Sequence, residues 1–232
     1  MHKNHEPIAE SLRGQMSESL LVGMLLALAG GFMDAYTYLI RGKVFANAQT
    51  GNIVLLGIHL MNAEWYQALY YLVPILSFIV GVLVVLMIRS KMKERWLHWR
   101  QTVLVLEITF MLIVMFLPQQ CNMAANVLVS FTCAMQVECF RKIRGVTCAT
   151  TMCTGNLRSG TELLWKYHKK GDVDLKQRGL KYYIVDLIFV AGAMMGALLT
   201  HIFAERAMFT VVILLSIAFV AMFLEEDIFL RN

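Results

Sequence analysis

Long apolar segments dominate this sequence. Six of them approach or exceed the roughly 18–20 residues that a helix needs to cross the hydrocarbon core of a bilayer. A transmembrane barrel would instead show short segments of alternating hydrophobicity. The sequence therefore predicts an all-α, polytopic membrane bundle with about six full spans, at residues 19–40, 68–89, 101–117, 122–140, 181–203 and 207–225.

The charged residues are few and unevenly placed. Hydrophobic residues make up 58% of the chain and charged residues 16%, with a net charge of +5. The loops at 89–100 and 166–181 are rich in Lys and Arg, whereas those at 62–67 and 118–121 contain none. This bias is typical of membrane orientation. We therefore expect the two basic loops and the C-terminus to be cytoplasmic, lipid to be the environment, and nucleic acid not to be a partner.

Two shorter segments, at 45–62 and 148–165, complicate this topology. The basic sequence RKIRG at 141–145 and the basic loop after residue 165 are both expected inside, so the second segment begins and ends on one side and should be re-entrant or broken. The first segment either re-enters in the same way or crosses fully. Arg41 and Lys43 argue against re-entry, because it would put them outside.

A repeated sequence favours re-entry. Residues 30–52, GGFMDAYTYLIRGKVFANAQTGN, resemble residues 133–156, CAMQVECFRKIRGVTCATTMCTGN, and each stretch ends in Thr-Gly-Asn. We therefore divide the chain into two membrane repeats, 19–117 and 118–232, after a polar tail at 1–18. Three crossings per repeat is an odd number, so the repeats should be inverted, as in many transporters.

The repeat suggests a central site. Broken segments near the bilayer midplane often line a solute path, and glycine would permit an unusual backbone angle at each break. Alternatively, Thr-Gly-Asn only lets two helices pack closely. The predicted path residues are Asp34, Thr50, Gly51, Asn52, Glu138, Thr154, Gly155 and Asn156.

Ionisable residues inside predicted spans add candidates, because charge at membrane depth is costly. Asp34 and Glu138 occupy matching repeat positions and are predicted to handle protons or cations, although Glu138 can instead pair with Arg141. Glu107 and Asp186 are secondary candidates, with Asp186 expected near the interface. Arg158 would serve either as an anion-selective gate or as an anchor beside the cytoplasmic loop.

Other chemistry is not indicated. No phosphate-binding glycine loop, H-E-x-x-H sequence or nucleophile elbow is present, so we expect neither an enzyme nor a cofactor. The five cysteines suit packing rather than a disulfide or metal site. Gly192-Ala-Met-Met-Gly196 predicts a close helix-packing face, within the bundle or between two copies of a homodimer.

The stretch GGFMDAYTYL…VFANAQTGNIVLLG resembles the YoaK-like family of bacterial integral membrane proteins, a domain of unknown function. The second half, MQVECFRKIRG…ATTMCTGNLRSGTE, resembles it too, so the likeness covers about residues 20–225. The resemblance implies a multi-pass protein of the bacterial inner membrane and no particular activity.

From the residues themselves, the expected function is a small channel or secondary transporter for a small polar or ionic solute, with proton coupling as one form. The alternative is a membrane scaffold or sensor that transports nothing, in which the same residues only hold helices together.

Overall fold

The computed structural model describes residues 19–91, 99–143, 146–147 and 149–230. Arg144, Gly145 and Cys148 lie outside the described residues, and for 142–143, 146–147 and 223–230 the description covers only the backbone. Two 3-10 turns, Gln119–Cys121 and Ala204–Met208, and a two-residue antiparallel pair, Lys142–Ile143 with Val146–Thr147, accompany the helices. The helices are α1 (Leu20–Ile40), α2 (Gln49–Met61), α3 (Trp65–Lys91), α4 (Trp99–Phe116), α5 (Asn122–Cys139), α6 (Cys153–Lys170), α7 (Val173–Phe203) and α8 (Phe209–Leu230).

Local sequence accounts for several helix boundaries. Ser19 begins α1 by accepting a hydrogen bond from the Val22 amide at 3.2 Å, and Asp172 begins α7 by accepting one from the Asp174 amide at 2.9 Å. Gly171 ends α6 in the left-handed conformation, with φ +69°, which glycine adopts without a Cβ clash. The chain therefore reverses sharply between α6 and α7.

Four stretches of the described chain are long and apolar enough to cross a membrane: Leu20–Ile40, Trp65–Lys91, Trp99–Phe116 and Val173–Met222, the last containing α7 and most of α8. The predicted segment 122–140 is helical but is not among them. Its helix, α5, carries buried Asn126, Ser130, Thr132 and Gln136. An interior helix surrounded by protein can hold polar groups that a lipid-facing helix cannot.

Helices α1 and α7 make the closest backbone contact in the bundle. A Cβ at Gly192 would lie 2.1 Å from the Leu28 carbonyl oxygen, and one at Gly196 would lie 2.8 Å from that of Phe32. The contacting residues rise together in number, so the two helices run parallel. The Gly192–Gly196 face is thus occupied by α1 of the same chain, where small residues allow close approach.

Helices α3 and α5 form a second parallel pair of the same kind. A Cβ at Gly81 would lie 2.6 Å from the Phe131 carbonyl oxygen, and Ser77 Oγ donates to the Val127 carbonyl at 2.7 Å. In addition, α2 packs on α3, α6 on α7, α1 on α8, and α4 on both α5 and α8.

A fully buried arginine joins the elements at one end of the bundle. Arg41, just after α1, donates to the carbonyls of Val114, Leu117 and Pro118 at 3.2, 2.9 and 3.2 Å, which closes the C-terminus of α4. Its own carbonyl accepts from Tyr70 on α3 at 2.8 Å. We call this the Arg41 end; it holds the connections at 41–43, 62–64, 117–121 and 204–208.

The opposite end holds the start of α4 and the end of α3. Arg89 and Arg100 stack over the Trp99 ring at 5.6 and 5.3 Å. Both arginines also lie within electrostatic range of Cys139, the last residue of α5. Because α7 is parallel to α1, the turn between α6 and α7 belongs to this end as well.

Gly31→Ala should destabilise the bundle, because its Cβ would lie 2.0 Å from the Phe189 carbonyl oxygen and push α1 and α7 apart. We expect a loss of about 1–3 kcal/mol, as for other overpacked sites, read as a lower thermal unfolding midpoint in detergent. Gly57→Ala is the matched control, since no heavy atom lies within 4 Å of its Cβ position. Equal midpoints for the two variants would contradict the close contact.

Candidate functional site

The two Thr-Gly-Asn steps form the first turns of α2 and α6, and irregular backbone precedes each of them, at 41–48 and 149–152. Neither Gly51 nor Gly155 has a positive φ. The prediction that these glycines supply an unusual backbone angle is therefore wrong. In the first repeat that conformation belongs to Gly42 and Lys43, with φ +84° and +63°, upstream of the helix.

The asparagine of each step clamps the irregular backbone seven residues before it. Asn52 accepts from the Phe45 amide at 3.3 Å and donates to the Phe45 carbonyl at 2.7 Å. Asn156 makes the same pair of bonds with Ala149, at 3.2 and 2.7 Å. Both asparagines are buried. In both halves, a side-chain amide thus pairs with both backbone polar groups of one residue and satisfies groups that the break frees.

The threonines of the two steps point away from the interior. Thr50 and Thr154 are exposed on the surface of the bundle, as is Gly155, while Gly51 is half-buried beside Phe45. Of the two steps, only the asparagines lie inside.

Asp34 is buried on α1 and faces the start of α2. Its Oδ1 accepts from the Asn47 amide at 2.8 Å, and the Ala48 amide also donates to this carboxylate. Free amides and the helix dipole make a helix N-terminus favourable for negative charge. Asp34 therefore holds the two residues that lead into α2, although the N-cap residue of that helix, Ala48, makes no side-chain capping bond.

Asp186 lies beside the first turn of α6, where it binds side chains rather than backbone amides. Its Oδ1 accepts from Asn156 Nδ2 at 2.8 Å, and the Cys153 thiol also hydrogen-bonds to the carboxylate. Asp186 is only 8% exposed. The prediction of an interfacial Asp186 took account of its distance from Lys181 along α7, but not of α6, which covers it.

The two irregular segments meet at Gly30, the central residue of α1. A Cβ at Gly30 would lie 2.7 Å from Thr151 Cγ2 and 3.6 Å from Asn47 Nδ2. Asn47 Nδ2 donates to the Gly30 carbonyl at 2.7 Å. From α5, Gln136 donates to the Leu26 carbonyl and to Thr150 Oγ1, both at 3.1 Å. The first and second halves thus touch at mid-depth in α1.

Four buried oxygens, on residues of the two segments and of the adjoining helices α5 and α7, have no hydrogen-bond partner among the described residues: Asn47 Oδ1, Gln136 Oε1, Thr151 Oγ1 and Asp186 Oδ2. Sequence reasoning missed Asn47, Gln136 and Thr151. The sequence did contain a signal for Gln136, because an amide in the middle of an apolar helix is costly to bury unless another group pairs with it. We call these four residues, together with Asp34, the Gly30 site.

The other predicted acids lie apart from the Gly30 site. Glu138 pairs with Arg141 at 3.6 Å, and no hydrogen bond or ion pair in the described chain joins it to Asp34. Glu107 is fully buried on α4, and neither carboxylate oxygen has a partner in the described ranges. Cys133 lies within electrostatic range of both Asp34 and Glu107. Arg158 is exposed on α6.

The described part of the chain contains no group of three or more His, Cys, Asp or Glu residues that could hold a metal ion.

The fold defines the class: this is a multi-pass helical membrane protein. The family model described as "Protein of unknown function (DUF1275)" matches residues 22–221, and the chain belongs to that family. It is 30% identical over 184 residues to the UPF0700 transmembrane protein YoaK of Bacillus subtilis (strain 168), covering 72% of this chain and 80% of that protein. No solved structure gives a significant match. The family resemblance noted in the sequence is thereby confirmed.

Asn52→Asp should release the clamp on the first irregular segment. Aspartate still accepts from the Phe45 amide but cannot donate to the Phe45 carbonyl or to Gln49 Oε1, which Asn52 reaches at 2.7 and 3.0 Å. Leaving buried acceptors without donors costs about 1–3 kcal/mol each, so the unfolding midpoint in detergent should fall. Asn62→Asp, at the exposed end of α2, is the control; an equal fall there would contradict the clamp.

Proposed function

We propose that this protein is a small channel or secondary transporter for a small polar or ionic solute, built from two inverted repeats around the Gly30 site. The observation that carries the proposal is the meeting of two broken segments at mid-depth, beside buried oxygens without partners. Irregular backbone is tolerated at that depth only where protein or a wet cavity covers it.

The contact pattern supports the repeat. The first helix of each half packs in parallel on the third helix of the other half, α1 on α7 and α5 on α3, through a glycine in the third helix. The second helix packs on the third within each half, α2 on α3 and α6 on α7. If each helix of the first half is replaced by its counterpart in the second half and the reverse, the same helix contacts are obtained. Two repeats related by a two-fold axis would have this property.

The two ends of the bundle support the inversion. The connections before and after α2, at 41–43 and 62–64, are both at the Arg41 end, so the segment between them enters and returns. The turn after α6 is at the opposite end. In this proposal α2 enters from one membrane face and α6 from the other, with six crossings by α1, α3, α4, α5, α7 and α8.

The burial of Arg41 bears on orientation. Its guanidinium is bound by carbonyls of the α4 terminus, so it does not act as a free loop charge. The positive-inside rule then rests on the basic loops at 89–100 and 166–181. We propose that the Arg41 end faces outward and that both basic loops face the cytoplasm of a bacterial inner membrane.

The alternative function, a scaffold or sensor without transport, has its own support. Asn52 and Asn156 direct their amides to the backbone, and Asp34 accepts from the Asn47 amide, so these groups already have structural partners. The two functions differ in whether anything passes the Gly30 site, which a flux measurement can decide.

Sidedness tests the inversion. In a background with all five native cysteines replaced, Lys43→Cys should react with an impermeant thiol reagent in intact cells. Asp172→Cys, in the turn after α6, should react only after permeabilisation. Gln119→Cys, in the short turn before α5, is a reference for the Arg41 end. Labelling of position 119 with protection of position 43 would mean that 45–62 crosses fully, and the inverted arrangement would fail.

Flux tests transport. The purified chain in phosphatidylethanolamine and phosphatidylglycerol liposomes should speed the entry of at least one of urea, glycerol, potassium, ammonium or chloride, followed by stopped-flow light scattering or ion-selective dyes. Gly30→Ala should reduce that flux at least fivefold, because its Cβ would meet Thr151 at 2.7 Å. Gly57→Ala should leave it unchanged. Folded protein that carries none of these solutes would favour the scaffold or sensor.

A further inference from the structure

The Gly30 site contains two carboxylates and several buried oxygens without partners. We infer that it binds one small monovalent cation, either an alkali-metal ion or ammonium. This inference deepens the proposed function and rests on the same site. It contrasts with the anion that two free helix N-termini would attract.

A carboxylate of a neighbouring helix lies beside the start of each half-helix. Asp34 accepts from the Asn47 and Ala48 amides at the start of α2. Asp186 binds Asn156 and Cys153 in the first turn of α6. The negative charge of these two carboxylates would repel an incoming anion at either helix start.

The groups that remain available are oxygens. Asn47 Oδ1, Gln136 Oε1 and Asp186 Oδ2 carry lone pairs and no proton donor, and Thr151 Oγ1 can accept as well as donate. All four residues are at least nine-tenths buried, with exposures of 5%, 0%, 8% and 4% in that order. Carbonyl, carboxylate and hydroxyl oxygens are the ligands that hard cations prefer.

No basic side chain competes for these oxygens in the part of the chain that the structure describes. Arg41, the buried arginine, is held at the Arg41 end by carbonyls and the Tyr36 hydroxyl. Arg158, on α6, is exposed. The buried oxygens of the Gly30 site therefore have no internal cation as a partner.

The charge balance points to a single positive charge. Each helix N-terminus is equivalent to about +0.5 elementary charge, so the two carboxylates, when both are ionised, leave about −1 at the site. One monovalent cation cancels this. A divalent cation would leave an excess of about +1 at mid-depth by the same count, where uncompensated charge is costly.

The test is binding to the purified full-length chain in detergent, which does not depend on transport. At constant ionic strength, with N-methyl-D-glucamine chloride as the reference salt, potassium, sodium or ammonium should raise the unfolding midpoint saturably. Thr151→Val removes one buried oxygen and should weaken the apparent affinity for that cation at least tenfold. Thr154→Val, at an exposed position of α6, should change it less than twofold.

The outcomes separate the two proposals. Saturable stabilisation by chloride, nitrate or formate at fixed cation, or no stabilisation by any of the three cations, overturns the cation site whatever the flux assay gives. Cation binding that Thr151→Val weakens, by a protein that carries none of the five solutes in liposomes, supports the cation site and favours the scaffold or sensor over transport. If Thr151→Val fails to fold, the wild-type titration with its anion series decides alone.

Discussion

A break in a helix at membrane depth leaves peptide groups without partners, and no water is present in the hydrocarbon core to replace them. This protein meets that constraint in the same way twice. Asn52 pairs with both polar groups of Phe45, and Asn156 does so with Ala149. Each half can therefore carry an irregular segment deep in the bundle, and the polar groups around Gly30 depend on these two clamps.

The parallel packing of helices from different halves brings those segments together. Glycines on α7 and α3 allow the backbones of α1 and α5 to approach closely. Because the first helix of one half lies on the third helix of the other, neither half has a complete site alone. Asp34 and Asp186 then come from helices in direct contact, each facing the start of a different half-helix.

Much of the helical layout was predictable. Each of the six predicted spans overlaps a helix, because long apolar runs have few other solutions in a bilayer. The Thr-Gly-Asn steps were predicted to be the breaks themselves, but each lies in the first helical turn, just after the irregular backbone. The role of their residues was only partly predicted, since the asparagines lie inside while Thr50 and Thr154 lie outside. Helical periodicity shows which face a residue is on only if the residue is helical. The residue at which a helix begins is not read reliably from the sequence.

By itself, the sequence determined that this chain is a multi-pass helical membrane protein with an internal similarity, because hydropathy and spacing are local properties. Only the tertiary structure decided which polar residues meet. Asn47 and Thr151 are distant in sequence and meet at Gly30, while Gln136 binds Thr150 and Asp186 binds Asn156 beside them. Likewise, the sequence suggests that Arg41 is a charged loop residue. In the fold, the C-terminal end of α4 buries Arg41, because the unpaired carbonyls at that end attract its guanidinium.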